Sequence, residues 1–263
     1  VVHCPIAGQL ERTMVDRLEM DVTAIKNMKL TGSIGVDDYI FMRDKMTSLM
    51  RLNLKEVESK INGVYQIPSF AFDDKKTLIK CVLPDKLEEV GGFSNTSLTG
   101  TLLLPEGVKY VYGFSNTKIT NVQFPSTLEE IGASAFEECS SLMCEISLPK
   151  SLKRIENGAF KNSSIKGSLI LPEGLESIGE HAFNYCFNLT GSLTIPSGIK
   201  TIESYSFSYC GFTGTLTLPI GLETIEGDAF WGTKFKGELN IPSTVTTIGG
   251  SAFANTDFNG NLI

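Results

Sequence analysis

One phrase recurs down most of this chain. A short apolar run ends in Leu-Pro or Ile-Pro, a second apolar pair follows, then a small residue and Phe, then a polar turn into the next run. The prolines that close the runs are Pro84, Pro105, Pro125, Pro149, Pro172, Pro196, Pro219 and Pro242, spaced by 21, 20, 24, 23, 24, 23 and 23 residues. Self-similarity at such a period marks a solenoid, in which no coil buries its apolar face alone and stability comes from stacked neighbours. Such a fold offers a long surface and little room for an enclosed active site.

A single coil reads clearly between Gly191 and Phe212. Leu193 and Ile195 alternate with Ser192 and Thr194, which is strand periodicity with one face buried. Pro196 stops that strand, because it has no N–H to donate and its fixed φ turns the chain. Ile199 and Ile202 re-enter the core, and the same slots hold Leu152 and Ile155, Leu175 and Ile178, Leu222 and Ile225, Val245 and Ile248, enough for a second short strand. Gly132, Gly179 and Gly249 follow this pair, where a sharp corner favours a residue without Cβ. Ala135-Phe136, Ala159-Phe160, Ala182-Phe183, Ser206-Phe207, Ala229-Phe230 and Ala252-Phe253 come next, and each Phe is predicted to stack on its counterpart. Seven or eight such coils, with strands ~4.8 Å apart, make a rod roughly 35–40 Å long before any cap is added.

"GSLTIPSGIKTIESYSFSYC" (Gly191 to Cys210) and "TLTLPIGLETIEGDAF" (Thr215 to Phe230) resemble the BspA-like leucine-rich repeats, a class typified by bacterial and protist cell-surface proteins. The resemblance runs from about Ile67 to Ile263. It implies a leucine-rich-repeat solenoid, mainly β with short strands and turns in 23–24-residue coils, beneath an N-terminal α/β cap. Two coils, "LEEVGGFSNTSLTG" and "VKYVYGFSNTKIT", lose about three residues before their Phe. The solenoid is expected to be shallower there, with a bend or flattening near Phe93 and Phe114.

The segment 1–66 has a different texture and is expected to cap the repeats of 67–263. Leu10, Met14 and Leu18 recur every four residues, which predicts one buried face of a helix with Glu11, Arg12, Asp16 and Arg17 around the rest. "MKLTG" (Met28 to Gly32) has strand character, a short helix is predicted over Asp37 to Lys45, and "SLMRLNL" (Ser48 to Leu54) has the spacing of an atypical repeat. "LTGSIGVDDYIFMRD" is similar to the region preceding such repeats in surface proteins of anaerobic Gram-negative bacteria. At the other end the chain stops at Asn261-Leu262-Ile263, two residues into what would be a further strand. That reads either as a truncation or as an unusually bare last edge.

A net charge of −7 and a pI near 5.0, with no basic cluster to offset them, argue against a nucleic-acid partner. No run of 18 apolar residues is present, so no membrane-spanning helix is expected, and Val1 does not open a signal peptide. The resemblance implies export, with any signal removed, to the cell surface or medium, an outer-membrane lipoprotein being one form.

Among the six cysteines, Cys139, Cys186 and Cys210 each fall three residues after a repeat Phe, a slot that elsewhere holds Thr96, Thr117, Ser163, Thr233 or Thr256. A buried packing ladder is the expected reading, with Cys186 and Cys210 close enough along adjacent coils for a disulfide to form under oxidation. Cys4 is expected to be the most reactive thiol or to lie in a loose terminus. With only His3 and His181 to join scattered thiols, no metal site is predicted, and no cofactor. No catalytic motif of the nucleophile-elbow, Walker or zincin type occurs, and His181, at a slot of variable composition, is expected to be solvated.

Binding residues are sought where a coil departs from the repeat at a water-facing slot. Trp231 stands where other coils carry Glu137, Lys161, Asn184, Ser208 and Ala254. Tyr185 and Tyr209 follow their Phe by two residues in neighbouring coils, and Phe187 is an extra aromatic. Large rigid rings bury much area at little entropic cost, so these four suit contact with a protein or glycan. The plainer account is that the two tyrosines simply cover each other on the outer edge. Phe212, Phe235 and Phe258 take a slot held elsewhere by Leu142, Ile165 and Leu189 and are assigned to the core. A second candidate surface is the outward strand row, including Thr194, Thr217 and Asn240, though small polar residues also serve an exposed strand merely by staying soluble.

The resemblance to BspA-like adhesins implies a non-enzymatic, monomeric surface or secreted module that binds an extracellular protein, such as a host matrix component, or a glycan. The alternative is a purely structural spacer holding another domain away from the cell envelope.

Overall fold

The second apolar pair of each coil builds the longest ladder in the protein. In the computed structural model, which describes residues 1–260, Glu89–Val90, Tyr110–Val111, Glu130–Ile131, Arg154–Ile155 and Ser177–Ile178 form one parallel five-stranded sheet. Thr201–Ile202, Thr224–Ile225 and Thr247–Ile248 form a three-stranded parallel sheet in the following coils. Equivalent residues pair: Ile131 opposes Ile155, which opposes Ile178. Register is specified because a one-residue slip would turn each buried Ile to solvent.

The Pro-terminated runs make shorter ladders: Thr99–Leu103 with Lys118–Gln123, Gly167–Ser168 with Leu189–Thr190, and Leu193–Thr194 with Leu216–Thr217. Their alternation is as the sequence predicts, with Leu193, Ile195 and Leu216 buried and Thr194 and Thr217 exposed. Asn261, Leu262 and Ile263, read from sequence as the start of a further strand, lie outside the described residues.

Between the two sides runs a file of phenylalanines. Phe93, Phe114, Phe136, Phe160, Phe183, Phe207, Phe230 and Phe253 stack in succession, with centroids 5.1–5.9 Å apart and planes within 14°. Phe72 adds a rung that the sequence reading passed over, 5.3 Å from Phe93. A second file, Phe212, Phe235 and Phe258, begins at 5.2 Å and continues at 6.1 Å, meeting the first edge to face. Phe212 and Phe235 are fully buried, while Phe258 packs on the core half-buried.

The cysteine slot is inside, and its chemistry differs between coils. Thr96, Thr117, Thr233 and Thr256 donate their hydroxyls at 2.7–2.9 Å to the carbonyl of the Phe in their own coil. Cys139, Cys186 and Cys210 instead direct their thiols at 3.1–3.2 Å to the Phe carbonyl of the preceding coil, at Phe114, Phe160 and Phe183. Burial pushes the Cys186 thiol up to about 12, and all six cysteines are free. Gly249 shows why the corner glycines are needed, and the reason is close approach: a Cβ there would lie 2.3 Å from the Gly227 nitrogen.

The N-terminal strands continue the parallel winding, with Val2–Cys4, Asn27–Ser33, Arg51–Glu58 and Lys80–Val82 adjacent in one sheet. The predicted short helix is Val36–Asp44. Its buried Asp38 accepts backbone N–H groups from Gly8, Leu10 and Gly35 at 2.6–2.8 Å, which satisfies a carboxylate that would otherwise be costly to bury. Tyr39 meets Phe72 edge-on at 5.7 Å and so covers the start of the Phe file. The Lys75 ammonium, also buried, donates to the Arg43 and Met46 carbonyls at the end of the same helix.

Two expectations for this segment fail. The helix carrying Leu10, Met14 and Leu18 is a wide π-type turn over Arg12–Arg17, and Leu18 is its cap, 54% exposed, while Leu10 and Met14 are buried. A turn wider than 3.6 residues does not keep every fourth residue on one face. Cys4 is fully buried and donates to the Ile6 carbonyl, because its strand pairs with Asn27–Ser33 in place of fraying.

Candidate binding surface

From Phe136 to Phe253, the turn that carries each ladder Phe is built from two left-handed residues. Two positions after the Phe, Asp74, Asn95, Asn116, Glu138, Asn162, Tyr185, Tyr209 and Asn255 all have φ between 52° and 61°, and Gly232 fills the slot in the remaining coil. Two positions before it, Ser134, Gly158, His181, Tyr205, Asp228 and Ser251 are also positive. Asn, Asp and Gly take this conformation readily. A bulky aromatic there is a genuine outlier, since Cβ crowds the following carbonyl.

Four of these strained slots, in two adjacent coils, hold aromatic rings. Tyr185 stacks on Tyr209 at 5.1 Å, and on the other side of the turn His181 stacks on Tyr205 at 4.7 Å with planes 5° apart. Backbone bonds fix the first pair, with the Tyr185 N–H donating to the Ser208 carbonyl at 3.0 Å and the Tyr209 N–H to the Trp231 carbonyl at 2.7 Å. Trp231 lies 4.9 Å from Tyr209 with its plane tilted by 55°, across the space that Gly232 leaves, since a Cβ on Gly232 would come within 2.9 Å of the Tyr209 ring. Phe187 touches Tyr185 at 5.6 Å and Tyr209 at 6.5 Å.

The residues singled out from sequence, Tyr185, Phe187, Tyr209 and Trp231, are thus one contiguous cluster. Phe187 is 59% exposed and Tyr185 39%, while Tyr209 and Trp231 are half-buried against them. The stack covers one face of each tyrosine, and Phe187 is the ring most open to water.

Thr194, Thr217 and Asn240 are all exposed, and Thr194 pairs with Thr217 in the strand ladder, as a row separate from the aromatic cluster. His181 departs from expectation: it is half-buried on Tyr205, and its Nδ1 is buried without a hydrogen-bond partner. The sequence reading missed the His181–Tyr205 pair. Its signal was present, because Tyr205 occupies a slot held in other coils by Ser, Gly or Asp. Among the described residues, no helix is long and apolar enough to cross a membrane.

A family model described as BspA type leucine rich repeat region matches in six copies, over residues 47–143 and 141–259. Several solved structures are similar. A T. pallidum leucine rich repeat protein is 23% identical over 76% of this chain and 73% of that one, with a TM-score of 0.42. A leucine rich cell surface protein from Faecalibacterium prausnitzii is 20% identical over 90% and 80%, with a TM-score of 0.47. A leucine-rich repeat protein from Eubacterium ventriosum is 19% identical over 90% and 68%, with a TM-score of 0.46. No curated protein matches the chain.

Proposed function

We propose, for a chain that belongs to the BspA-type leucine-rich repeat family, a non-enzymatic binding module that acts at the cell surface or in the medium. It engages an extracellular protein through the aromatic cluster. One observation carries this reading: Tyr185 and Tyr209 occupy left-handed slots that other coils fill with Asn, Asp, Gly or, once, Glu, next to a Phe187 left open to water. A position held against a conformational cost of roughly 1–2 kcal/mol points to a use for the side chain beyond folding. A glycan partner is the second form of this reading, supported by the exposed Ser/Thr strand row alone.

The experiment is an array of extracellular-matrix proteins and glycans probed with this chain and with Trp231→Ala/Tyr209→Ala. Binding that is lost in the double variant, with the unfolding transition nearly unchanged, supports the cluster. Binding unaffected by it moves the contact elsewhere. An array without any positive favours the spacer.

A further inference from the structure

A slot opens through the strand face where the short coils begin. Lys80–Val82 and Thr99–Leu103 are neighbours in the winding, yet among the described residues they share no ladder: the first pairs only with Arg51–Glu58 and the second only with Lys118–Gln123. Among the described residues, the single backbone bond joining the two runs is from the Thr99 N–H to the Ile79 carbonyl, at 3.2 Å. Beyond it the facing edges diverge around a cleft of about 690 Å³. On its other side Thr99–Leu103 stays paired throughout, the extra residue of the register shift between Ile119 and Asn121 lying in Lys118–Gln123.

The cleft has an apolar floor and a basic mouth. Leu83, Leu98, Leu102 and Leu104 line it, and Phe93 and Phe114 of the stacked file form its base. At the mouth are Arg51, Lys55 and Lys80, with Asp85. Arg51 and Lys80 lie directly opposite each other across their strands, a like-charge pairing that costs stability. Neither they nor Lys55 has an ion-pair partner among the described residues.

We propose that this slot receives an extended, acid-flanked peptide segment of a partner protein, which adds a strand to the edge of Lys80–Val82 or Thr99–Leu103. In a parallel strand, alternate residues point their N–H and C=O groups to opposite neighbours, so each of these runs presents one unpaired edge to the slot. An acyl chain would fill the same volume but would bury those groups without partners. A strand satisfies them, sends every second side chain down among the leucines, and sets acidic flanks beside Arg51, Lys55 and Lys80. The site is separate from the aromatic cluster.

The test is fluorescence anisotropy on the full 263-residue chain with a set of labelled nonapeptides that alternate Val or Ile with Thr between Glu-rich ends. Saturable binding is expected, about tenfold weaker when alternate peptide amides are N-methylated, because two edge hydrogen bonds are removed. Lys55→Glu/Lys80→Glu, both exposed positions, should weaken these peptides and favour Lys-ended ones. Trp231→Ala/Tyr209→Ala should leave peptide binding intact, so this site and the aromatic cluster can fail independently. Bound peptide should also slow alkylation of Cys81, which lines the cleft, and not of Cys144. Failure of every peptide to saturate by about 1 mM, or indifference to N-methylation, overturns the proposal. Binding of cis-parinaric acid in place of peptide would overturn it in favour of an amphiphile pocket.

Discussion

The ring of Tyr185 lies 5.1 Å from that of Tyr209 with the two planes 10° apart, and both residues have left-handed backbones, φ 60° and 56°. The stack returns about 0.5–1.5 kcal/mol, close to the roughly 1–2 kcal/mol that one left-handed residue costs but short of the cost of both, so removing one ring relieves about as much as it loses. Tyr209→Asn should therefore change stability by no more than about 1 kcal/mol in chemical denaturation while reducing partner binding. A loss above 2 kcal/mol would make the stack a structural element and remove the main support for the binding surface.

Trp231 is half-buried against Tyr209. Acrylamide should reach it in the folded protein, and Tyr209→Ala should increase the quenching by uncovering a ring face. Complete protection from the quencher in the unmodified chain would place the only tryptophan in the core and take it out of the binding cluster.

Phe183→Ala and Phe207→Ala should each cost roughly 3–5 kcal/mol, because rungs above and below prevent the cavity from collapsing along the axis. Phe253→Ala should cost distinctly less in this chain, since Phe253 is half-buried. Equal losses along the file, or a central variant within 1 kcal/mol of the parent, would contradict the stacking account.

Short exposure to a bulky maleimide, read by mass spectrometry, should label Cys81 and Cys144 and spare Cys4, Cys139, Cys186 and Cys210. The first two are half-exposed and the others buried. Burial raises all six thiols above their ordinary range, Cys81 and Cys186 to about 12, so access of the reagent and not thiolate content separates the two groups, and Cys144 should label ahead of Cys81. Early labelling of Cys186 would mean that the coil opens locally.

Glu203 has its carboxyl raised above the ordinary range, first by burial and then by Glu226 and Glu180. A raised folded-state value means that ionisation opposes folding. The charged form therefore costs stability once pH rises through the folded value, and the cost is absent below the unfolded one. Glu203→Gln should thus be more stable than the parent at neutral pH, with the difference closing as pH falls below about 4.5. A gap that persists in acid would point to a hydrogen-bond effect of the amide.

Much of this molecule was legible in its sequence because a solenoid writes its core in phase. Leu193, Ile202 and Phe207 recur at one spacing, so each coil corrects errors in reading its neighbour. The aromatic cluster was legible by the same device, as departures from a repeated slot. What stayed hidden lacks that redundancy. Leu18 belongs to a π turn that occurs once, and Cys4 is buried by a strand with no repeat to announce it. The left-handed slots could have been inferred from Asn95, Asn116, Asn162 and Asn255 in register, and with them the strain on Tyr185 and Tyr209. The slot beside Thr99 depends on which strand edges pair and which do not, and residue types alone do not encode that.

The uniform Phe file has a consequence for how such a chain changes over generations. Each interior rung meets its neighbours at nearly the same distance and angle, so one coil is interchangeable with the next at its contacts. Gain or loss of a whole repeat by unequal recombination leaves every remaining interface complete, and the short coils at Phe93 and Phe114 keep their place in the file as well. Length can drift in unit steps without passing through an unfolded intermediate. The outer rings of Tyr185, Tyr209 and Trp231 are then free to diverge on a scaffold that tolerates copying.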